Sequence, residues 1–253
     1  MWLQDRHQKI MNLLGARKRL STETISEELE VSRETIRRDL LELESSGLLK
    51  RVHGGVVLPD TISEEPFNTR VGTHQREKKI IAKLAASLVR PGQCVMIDAG
   101  TTTKAFAEEL ALIPNISVIT NSIDVAIIMK HSRQENETLL LGGRMHTDVP
   151  ATYGELTLSE LSRFNADVAI ISPVALHPDL GASNYALHEA EVAKLMIAKS
   201  GNLILLADES KINTTSKVQF CDTTDIDTLV TNTKPEAEIF KALSSSINKI
   251  VCA

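Results

Sequence analysis

Val31-Ser32-Arg33-Glu34-Thr35-Ile36-Arg37-Arg38-Asp39-Leu40-Leu41-Glu42-Leu43-Glu44 reads as one helix with different work on its two faces. Ser32 is a natural N-cap, because its hydroxyl can accept from backbone N–H groups left without partners at a helix start. Ile36, Leu40 and Leu43 recur at spacings of four and three and make one apolar stripe. Arg33 and Arg37 are four apart, as are Glu34 and Arg38, so rows of charge point outwards. A short helix opened by serine and fronted by arginines suits a DNA major groove, its N-terminal residues meeting base edges. An ordinary surface helix carries the same pattern. The flanking residues decide between the two.

Upstream, residues 4–14 form a helix with Ile10, Leu13 and Leu14 on its apolar side and Gly15 as a stop. Arg17-Lys18-Arg19 is a basic turn, suited to a phosphate backbone or simply to solvent. Ser21 caps a second helix that turns Ile25 and Leu29 inwards, and Glu30-Val31 is a tight turn. Two short helices joined this way make a helix-turn-helix. Downstream of Ser45-Ser46-Gly47 the period changes to two. Leu48–Val52 and Val56–Leu58 flank His53-Gly54-Gly55, which is hairpin chemistry, and the whole is a winged helix. Lys50, Arg51 and His53 bring the wing against phosphates or a minor groove; taken alone, His53 reads better as a simple turn residue.

Thr35-Ile36-Arg37-Arg38-Asp39-Leu40, Gly47-Leu48 and Arg51-Val52-His53-Gly54-Gly55 stand together at a characteristic separation. Over about residues 5–58 the chain thereby resembles the N-terminal domain of the DeoR family of bacterial transcriptional regulators. The resemblance implies double-stranded operator DNA as a partner. It makes Arg37 and Arg38 central and places Ser32, Arg33 and Thr35 for phosphate or base contacts. Either central arginine can instead pair with Asp39 or Glu34 and orient the helix without reading a base.

The net charge of −5 suits a DNA binder only when divided. Residues 1–58 hold ten Lys/Arg against nine Asp/Glu, and the rest hold eighteen against twenty-four. Within the first part the charges are sorted: Glu23, Glu27, Glu28 and Glu30 on one segment, Arg33, Arg37, Arg38, Lys50 and Arg51 on the next. Phosphates feel that local field within a Debye length. At 253 residues, 42% of them apolar, the chain suits one large domain or two. No apolar run spans a bilayer and no signal core follows Asp5, Arg6 and Lys9, so a cytoplasmic protein is expected. Cys94, Cys221 and Cys252 are odd in number and far apart, against a disulfide framework. The seven histidines are scattered, so neither a metal site nor any cofactor is expected.

Residues 1–58 are therefore expected as the DNA-binding domain, 59–72 as a linker and 73–253 as an effector and oligomerisation domain. The linker has Pro59 and Pro66 with polar residues between them, and Phe67 and Arg70 are suited to pack its end. From residue 73 helical stretches near 76–90, 103–112, 123–131, 154–164, 186–199 and 235–245 alternate with apolar runs. The runs are Cys94–Ile97, Val118–Thr120, Thr138–Leu141, Val168–Ile171, Leu203–Leu206 and Leu229–Thr231. Alternation of this kind predicts an α/β fold, a doubly wound sheet buried on both faces, with ligands bound beyond the strand C-termini.

The residues at those ends share a chemistry. Asp98-Ala99-Gly100-Thr101-Thr102 runs into a helix, where Gly100 lets the backbone come close and free N–H groups can cradle an anion. A capped loop would look the same, and support comes from the other strand ends. These supply Asn121-Ser122, Gly142-Gly143-Arg144, Ser172 and Asp208-Glu209-Ser210-Lys211. Arg144 and Lys211 bring positive charge, while Asp98, Asn121 and Asp208 accept from hydroxyls. A phosphorylated sugar fits that set.

The second domain also resembles the DeoR effector domain, similar in fold to ribose-5-phosphate isomerase. The resemblance rests on Glu77-Lys78, Ile97–Thr102, Thr120-Asn121, Gly142-Gly143, Glu189 and Asp208–Lys211. It implies a homo-oligomeric repressor released from DNA by a sugar phosphate. Ser172-Pro173-Val174, His177-Pro178 and Ile212-Asn213 depart from the usual pattern and bear on which ligand is taken. The alternative is a sugar-phosphate isomerase-like enzyme with an accessory DNA-binding head. Its base would be Asp98, Glu189 or Asp208, and no tuned acid–base pair stands out.

Overall fold

The structure is a computed structural model describing residues 3–17, 19–45, 49–52, 55–57, 66–145 and 148–253. The chain divides into two compact units, residues 1–63 and 64–253.

The first unit runs α1 (Leu3–Arg17), β1 (Arg19–Leu20), α2 (Thr22–Leu29), α3 (Arg33–Ser45), β2 (Lys50–Val52) and β3 (Gly55–Val57). Side chains define its helix ends. The Ser21 hydroxyl accepts from the Thr24 N–H at 3.0 Å, and Ser32 accepts from the Thr35 N–H at 3.2 Å. Between α2 and α3 the chain turns at Glu30, in the left-handed region at φ 53°, and Ser26 donates to the Val31 carbonyl at 2.6 Å. Ile10 and Leu14 of α1, Ile25 of α2, and Ile36, Leu40 and Leu43 of α3 are buried together. Each such side chain contributes about 1.5–3 kcal/mol on burial. Asp39, on the same buried side of α3, is held by Arg6 of α1, with one N–O distance of 2.8 Å.

The wing is a three-stranded antiparallel sheet in the order β1-β3-β2. Its first strand includes Arg19, from the stretch that the sequence reads only as a basic turn. A Cβ on Gly55 would lie 2.2 Å from the Leu20 carbonyl oxygen, so glycine is what allows β1 to pair with β3. The predicted turn at Ser46-Gly47 and the residues His53 and Gly54 lie outside the described residues.

The second unit runs α4 (Phe67–Gly72), α5 (Gln75–Ala86), β4 (Cys94–Ile97), α6 (Thr101–Leu110), β5 (Ser117–Thr120), α7 (Ile123–Lys130) and β6 (Glu137–Leu140). It continues with β7 (Arg144–Met145), β8 (Thr152–Tyr153), α8 (Glu155–Leu161), β9 (Ala166–Ile171), β10 (Ala175–His177), β11 (Gly181–Asn184) and α9 (Leu187–Ala198). Last come β12 (Ser200–Leu206), β13 (Val218–Cys221), β14 (Thr228–Thr231), α10 (Ala237–Ser244) and β15 (Lys249–Cys252).

Seven of these strands form one parallel sheet in the order β15-β14-β12-β9-β4-β5-β6. Successive side chains of a strand face opposite ways, and both faces are covered. Met96, Ala169, Leu203 and Leu205 pack in one layer with Ala193 and Met196 of α9. Val95, Ile97, Ile170 and Leu206 pack in the other with Ile81 of α5 and Phe106 of α6. Six of the seven strands coincide with the predicted apolar runs; β15, at an edge with Lys249 in it, has no such run. A small antiparallel sheet (β10-β11-β13) and the β7-β8 ribbon carry no long apolar run either. Residues 67–72, part of the expected linker, form α4, and Phe67 is buried against the second unit's core.

From β4 the chain proceeds to β5 and β6 on one side of the sheet, while β9, β12, β14 and β15 lie on the other. The loops leaving β4 and β9 diverge there and open a crevice at the strand C-termini. Among the described residues no helix is long and apolar enough to cross a membrane. Cys94, Cys221 and Cys252 are unbridged.

Candidate ligand cavity and nucleic-acid interface

On the first unit, α3 turns Arg33, Arg37 and Arg38 outwards, opposite its buried stripe. Their settings differ. Arg33 forms an ion pair with Glu23 of α2, and Arg38 lies 3.5 Å from Glu34 one turn back. Arg37 is exposed with no ion-pair partner among the described residues. Since Asp39 is taken by Arg6, only one of the two expected pairings exists, and it involves Arg38. The Ser32 and Thr35 hydroxyls share a hydrogen bond of 2.8 Å at the start of α3. Lys50 and Arg51 are exposed on the wing, the Arg51 N–H donating to Glu44 at 2.9 Å. Nothing is placed for His53, which lies outside the described residues.

In the second unit the crevice between β4 and β9 deepens into a narrow cavity walled largely by polar side chains. Of the residues singled out in sequence, Asp98, Gly100, Thr101, Asn121, Ser172, Glu189 and Lys211 line it. The first intrahelical bond of α6 runs from the Lys104 N–H to the Gly100 carbonyl at 2.9 Å. The N–H groups of Thr101, Thr102 and Thr103 therefore have no acceptor within the helix, and the helix dipole adds positive potential there. Gly100 is extended, at φ −175°, so no special backbone conformation requires glycine. Its value is space: a Cβ would come 3.3 Å from the Thr103 hydroxyl.

Facing that helix start, the Lys211 ammonium donates to the Ser172 hydroxyl at 2.9 Å and the Pro173 carbonyl at 2.7 Å. Pro173, which removes a donor from the loop after β9, here supplies an acceptor that positions the lysine. The Asp98 carboxylate accepts from the Ser172 N–H at 3.3 and 3.4 Å. Burial pushes its pKa up to about 8, opposed by the Ser172 N–H, Lys211 and Thr103 and reinforced by Glu189. Asn121 donates to the Thr152 carbonyl at 3.0 Å, while its buried Oδ1 accepts no hydrogen bond from the protein. An acceptor in that position suits a ligand hydroxyl.

Five expected ligand contacts stand elsewhere. Thr102 is buried behind the lining and Ser122 caps α7, accepting from the Val125 N–H at 3.3 Å. Asp208 caps the short turn Glu209–Lys211, accepting from the Ser210 N–H at 3.1 Å and from the Ser210 hydroxyl. Asp208 and Ser210 thus shape the turn that presents Lys211. Arg144 is exposed on the ribbon and lines a separate cleft with Tyr153 and Glu155. The reason is Gly143, whose φ of 148° turns the chain outwards; a Cβ there would meet the Thr157 hydroxyl at 2.1 Å. Gly142-Gly143 is a turn into the ribbon and not part of the cradle.

Sequence patterns missed Arg70, Tyr153 and Asn184, which complete the wall. Asn184 holds the loop after β9 by accepting from the Val174 N–H at 3.1 Å. Tyr153 packs edge-on against His188, ring centroids 4.5 Å apart. Among the described residues no cluster of His, Cys, Asp or Glu is arranged to hold a metal.

Residues 73–233 match the family model described as the DeoR C terminal sensor domain, and residues 6–62 the DeoR-like helix-turn-helix domain. The chain is 34% identical over 236 residues to the HTH-type transcriptional repressor GlcR of Bacillus subtilis, covering 93% of this chain and 90% of that protein. It is 30% identical over 240 residues to the glycerol-3-phosphate regulon repressor of Escherichia coli, covering 95% of each. Among solved structures, ribose 5-phosphate isomerase A of Methanocaldococcus jannaschii matches over 55% of each chain, at 17% identity and a TM-score of 0.40.

Proposed function

Because the chain belongs to the DeoR family of transcriptional regulators, we propose that it is a repressor of carbohydrate-metabolism genes released from operator DNA by a phosphorylated sugar or similar metabolite. The observation that supports this most is the cavity at the β4–β9 divergence. The open N-terminus of α6 and the Lys211 ammonium suit a phosphate, and the Asn121 oxygen suits a hydroxyl. Asp98 in its protonated form adds no negative charge beside such an anion and offers it a donor.

On this reading the assembly is a homo-oligomer acting in the cytoplasm, with operator half-sites spaced to match its paired heads. Ligand releases it only by binding one arrangement more tightly than the other. The same reading has the ligand bound and not turned over, Asp98 being engaged by Ser172 and Asp208 capping its own turn, with Glu189, in the cavity wall, the remaining carboxyl group of the three. Formation of an isomerised sugar phosphate by the purified protein would establish the enzymatic alternative instead.

A thermal-shift screen of the full chain against sugar phosphates and their unphosphorylated parents tests the effector class. A compound at a hundred times its dissociation constant adds about 2.7 kcal/mol of stability. Stabilisation confined to phosphorylated compounds is expected, whereas equal response to a parent sugar would remove the phosphate cradle.

For DNA, Arg37 is the arginine assigned to base reading, Arg38 being paired with Glu34. Ser32, Arg33, Thr35, Lys50, Arg51 and His53 are assigned to backbone positioning. Arg37→Ala is expected to weaken binding to an in vitro selected operator by about 1–3 kcal/mol and to relax preference at one base pair. A loss equal on all sequences, with the salt slope lowered by about one, would make Arg37 a phosphate contact.

A further inference from the structure

The chain enters the second unit through α4, and α4 is a wall of the ligand cavity. Arg70 lines the cavity from this helix, its guanidinium 5.5 Å from the centre of the buried Phe67 ring. Both ends of α4 are tied to neighbouring walls. At the start, the Phe67 N–H donates to both carboxylate oxygens of Asp148 at 3.2 Å, and the next residue, Val149, lines the cavity. At the end, the buried Lys78 ammonium donates to the Arg70 carbonyl and, at 2.7 Å, to the Thr73 carbonyl.

Lys211 and Arg70, which line the cavity, both bear on the buried Lys78 ammonium. Burial first, then Lys211 and Arg70, draw the Lys78 pKa down to about 8 against the pull of Asp208 and Glu77. Arg70 and Lys211 are the two cationic side chains of the cavity lining, and two cations on one wall suit a multiply charged anion. Two of the three cations stand on, or are bonded to, the segment that leads back to the DNA-binding unit.

We infer that Arg70 binds the anionic group of the effector, and that α4 is the element through which cavity occupancy reaches the DNA-binding unit. This rests on the phosphorylated effector proposed above. Occupied, the cavity holds α4 at Arg70 as well as at Phe67 and Lys78. Empty, it lacks the Arg70 contact, so α4 has a different balance of positions. A ligand that touched only the sheet ends would have no such difference to act on.

The probe is the panel member with the largest thermal shift on wild-type protein, with inorganic phosphate run beside it. Half-saturation is read by calorimetry and half-release from operator by fluorescence anisotropy, on the full chain. Arg70→Gln is expected to raise half-saturation by about tenfold or more, the loss of a charge-assisted contact, and to raise half-release further still, because the remaining contacts no longer act on α4. Asp148→Ala, a change at an exposed side chain, removes the anchor at the start of α4 without touching the lining. It is expected to keep half-saturation within about threefold while half-release rises about tenfold, since coupling energies span that range. Wild-type half-saturation in Arg70→Gln would overturn Arg70 as a ligand contact. Equal shifts, or none, in Asp148→Ala would overturn α4 as the coupling element. Wild-type protein that binds no phosphorylated compound overturns the effector reading itself, and with it this inference.

Discussion

Lys211→Met is expected to raise the dissociation constant of the phosphorylated effector about a hundredfold or more. Lys211 lines the cavity together with the start of α6, its ammonium held by the Ser172 hydroxyl and the Pro173 carbonyl. Truncating one member of a hydrogen-bonded, desolvated charge pair costs about 2–5 kcal/mol, much of it from leaving the partner charge unpaired. Here the stranded charge is the ligand's phosphate. Methionine keeps most of the volume, so the cavity wall stays filled while charge and donors are lost. Calorimetric titration of the variant and the wild type checks this, with operator binding followed in parallel. An affinity within threefold of wild type would place the anion away from Lys211 and return this lysine to a purely structural part in the loop after β12.

Asp98→Asn is expected to change the pH dependence of stability by several kcal/mol. Asp98 is buried and its pKa stands at about 8, against 3.8 for the free side chain, so the folded protein keeps a proton that the unfolded chain gives up. The unfolded state then binds fewer protons over this interval, and stability falls as pH rises from about 4 to about 8. Each unit of separation corresponds to about 1.4 kcal/mol, so the total is on the order of 5 kcal/mol. Above pH 8 the folded carboxyl ionises too and the slope from this group vanishes. Lys78 has its pKa lowered to about 8, so its own contribution changes at and above that pH. Denaturant unfolding of wild type and Asp98→Asn at intervals from pH 4 to 8 isolates the carboxyl. The variant should gain on the wild type steadily across the range. A constant offset would mean that Asp98 is ionised in the folded protein.

Most of the fold is legible in short stretches. The stripe Ile36-Leu40-Leu43, the caps Ser21 and Ser32, and the apolar runs of six sheet strands each state their own conformation, because cap, period and burial are local properties. The edge strand β15 escapes this reading, since an edge faces solvent and needs no continuous apolar run. So does α4, six residues between proline-flanked polar chain and a second helix, too short to show a period.

The cavity is legible only in part. Asp98, Gly100, Thr101, Asn121, Ser172 and Lys211 are found because each lies in the segment that leaves a strand's C-terminal end, and a parallel sheet gathers those ends. The same rule also gathers Arg144, Ser122 and Asp208, which do not line this cavity. Whether a polar residue after a strand caps a helix, turns a ribbon outward or meets a ligand depends on backbone angles such as φ 148° at Gly143. A row of residue types does not contain those angles.

The sequence by itself therefore determined the helix-turn-helix at the N-terminus and the doubly wound sheet that follows it, and it directed attention to the polar residues at the strand ends. Helix periodicity, apolar runs and capping residues are written within a few positions of where they act. Tertiary structure alone decided that Asp39 belongs to Arg6, that Arg70 reaches the cavity from what reads as linker, and that Lys211 lines the same cavity as the start of α6. Each of these joins residues far apart along the chain, and such pairings exist only once packing has chosen which surfaces meet.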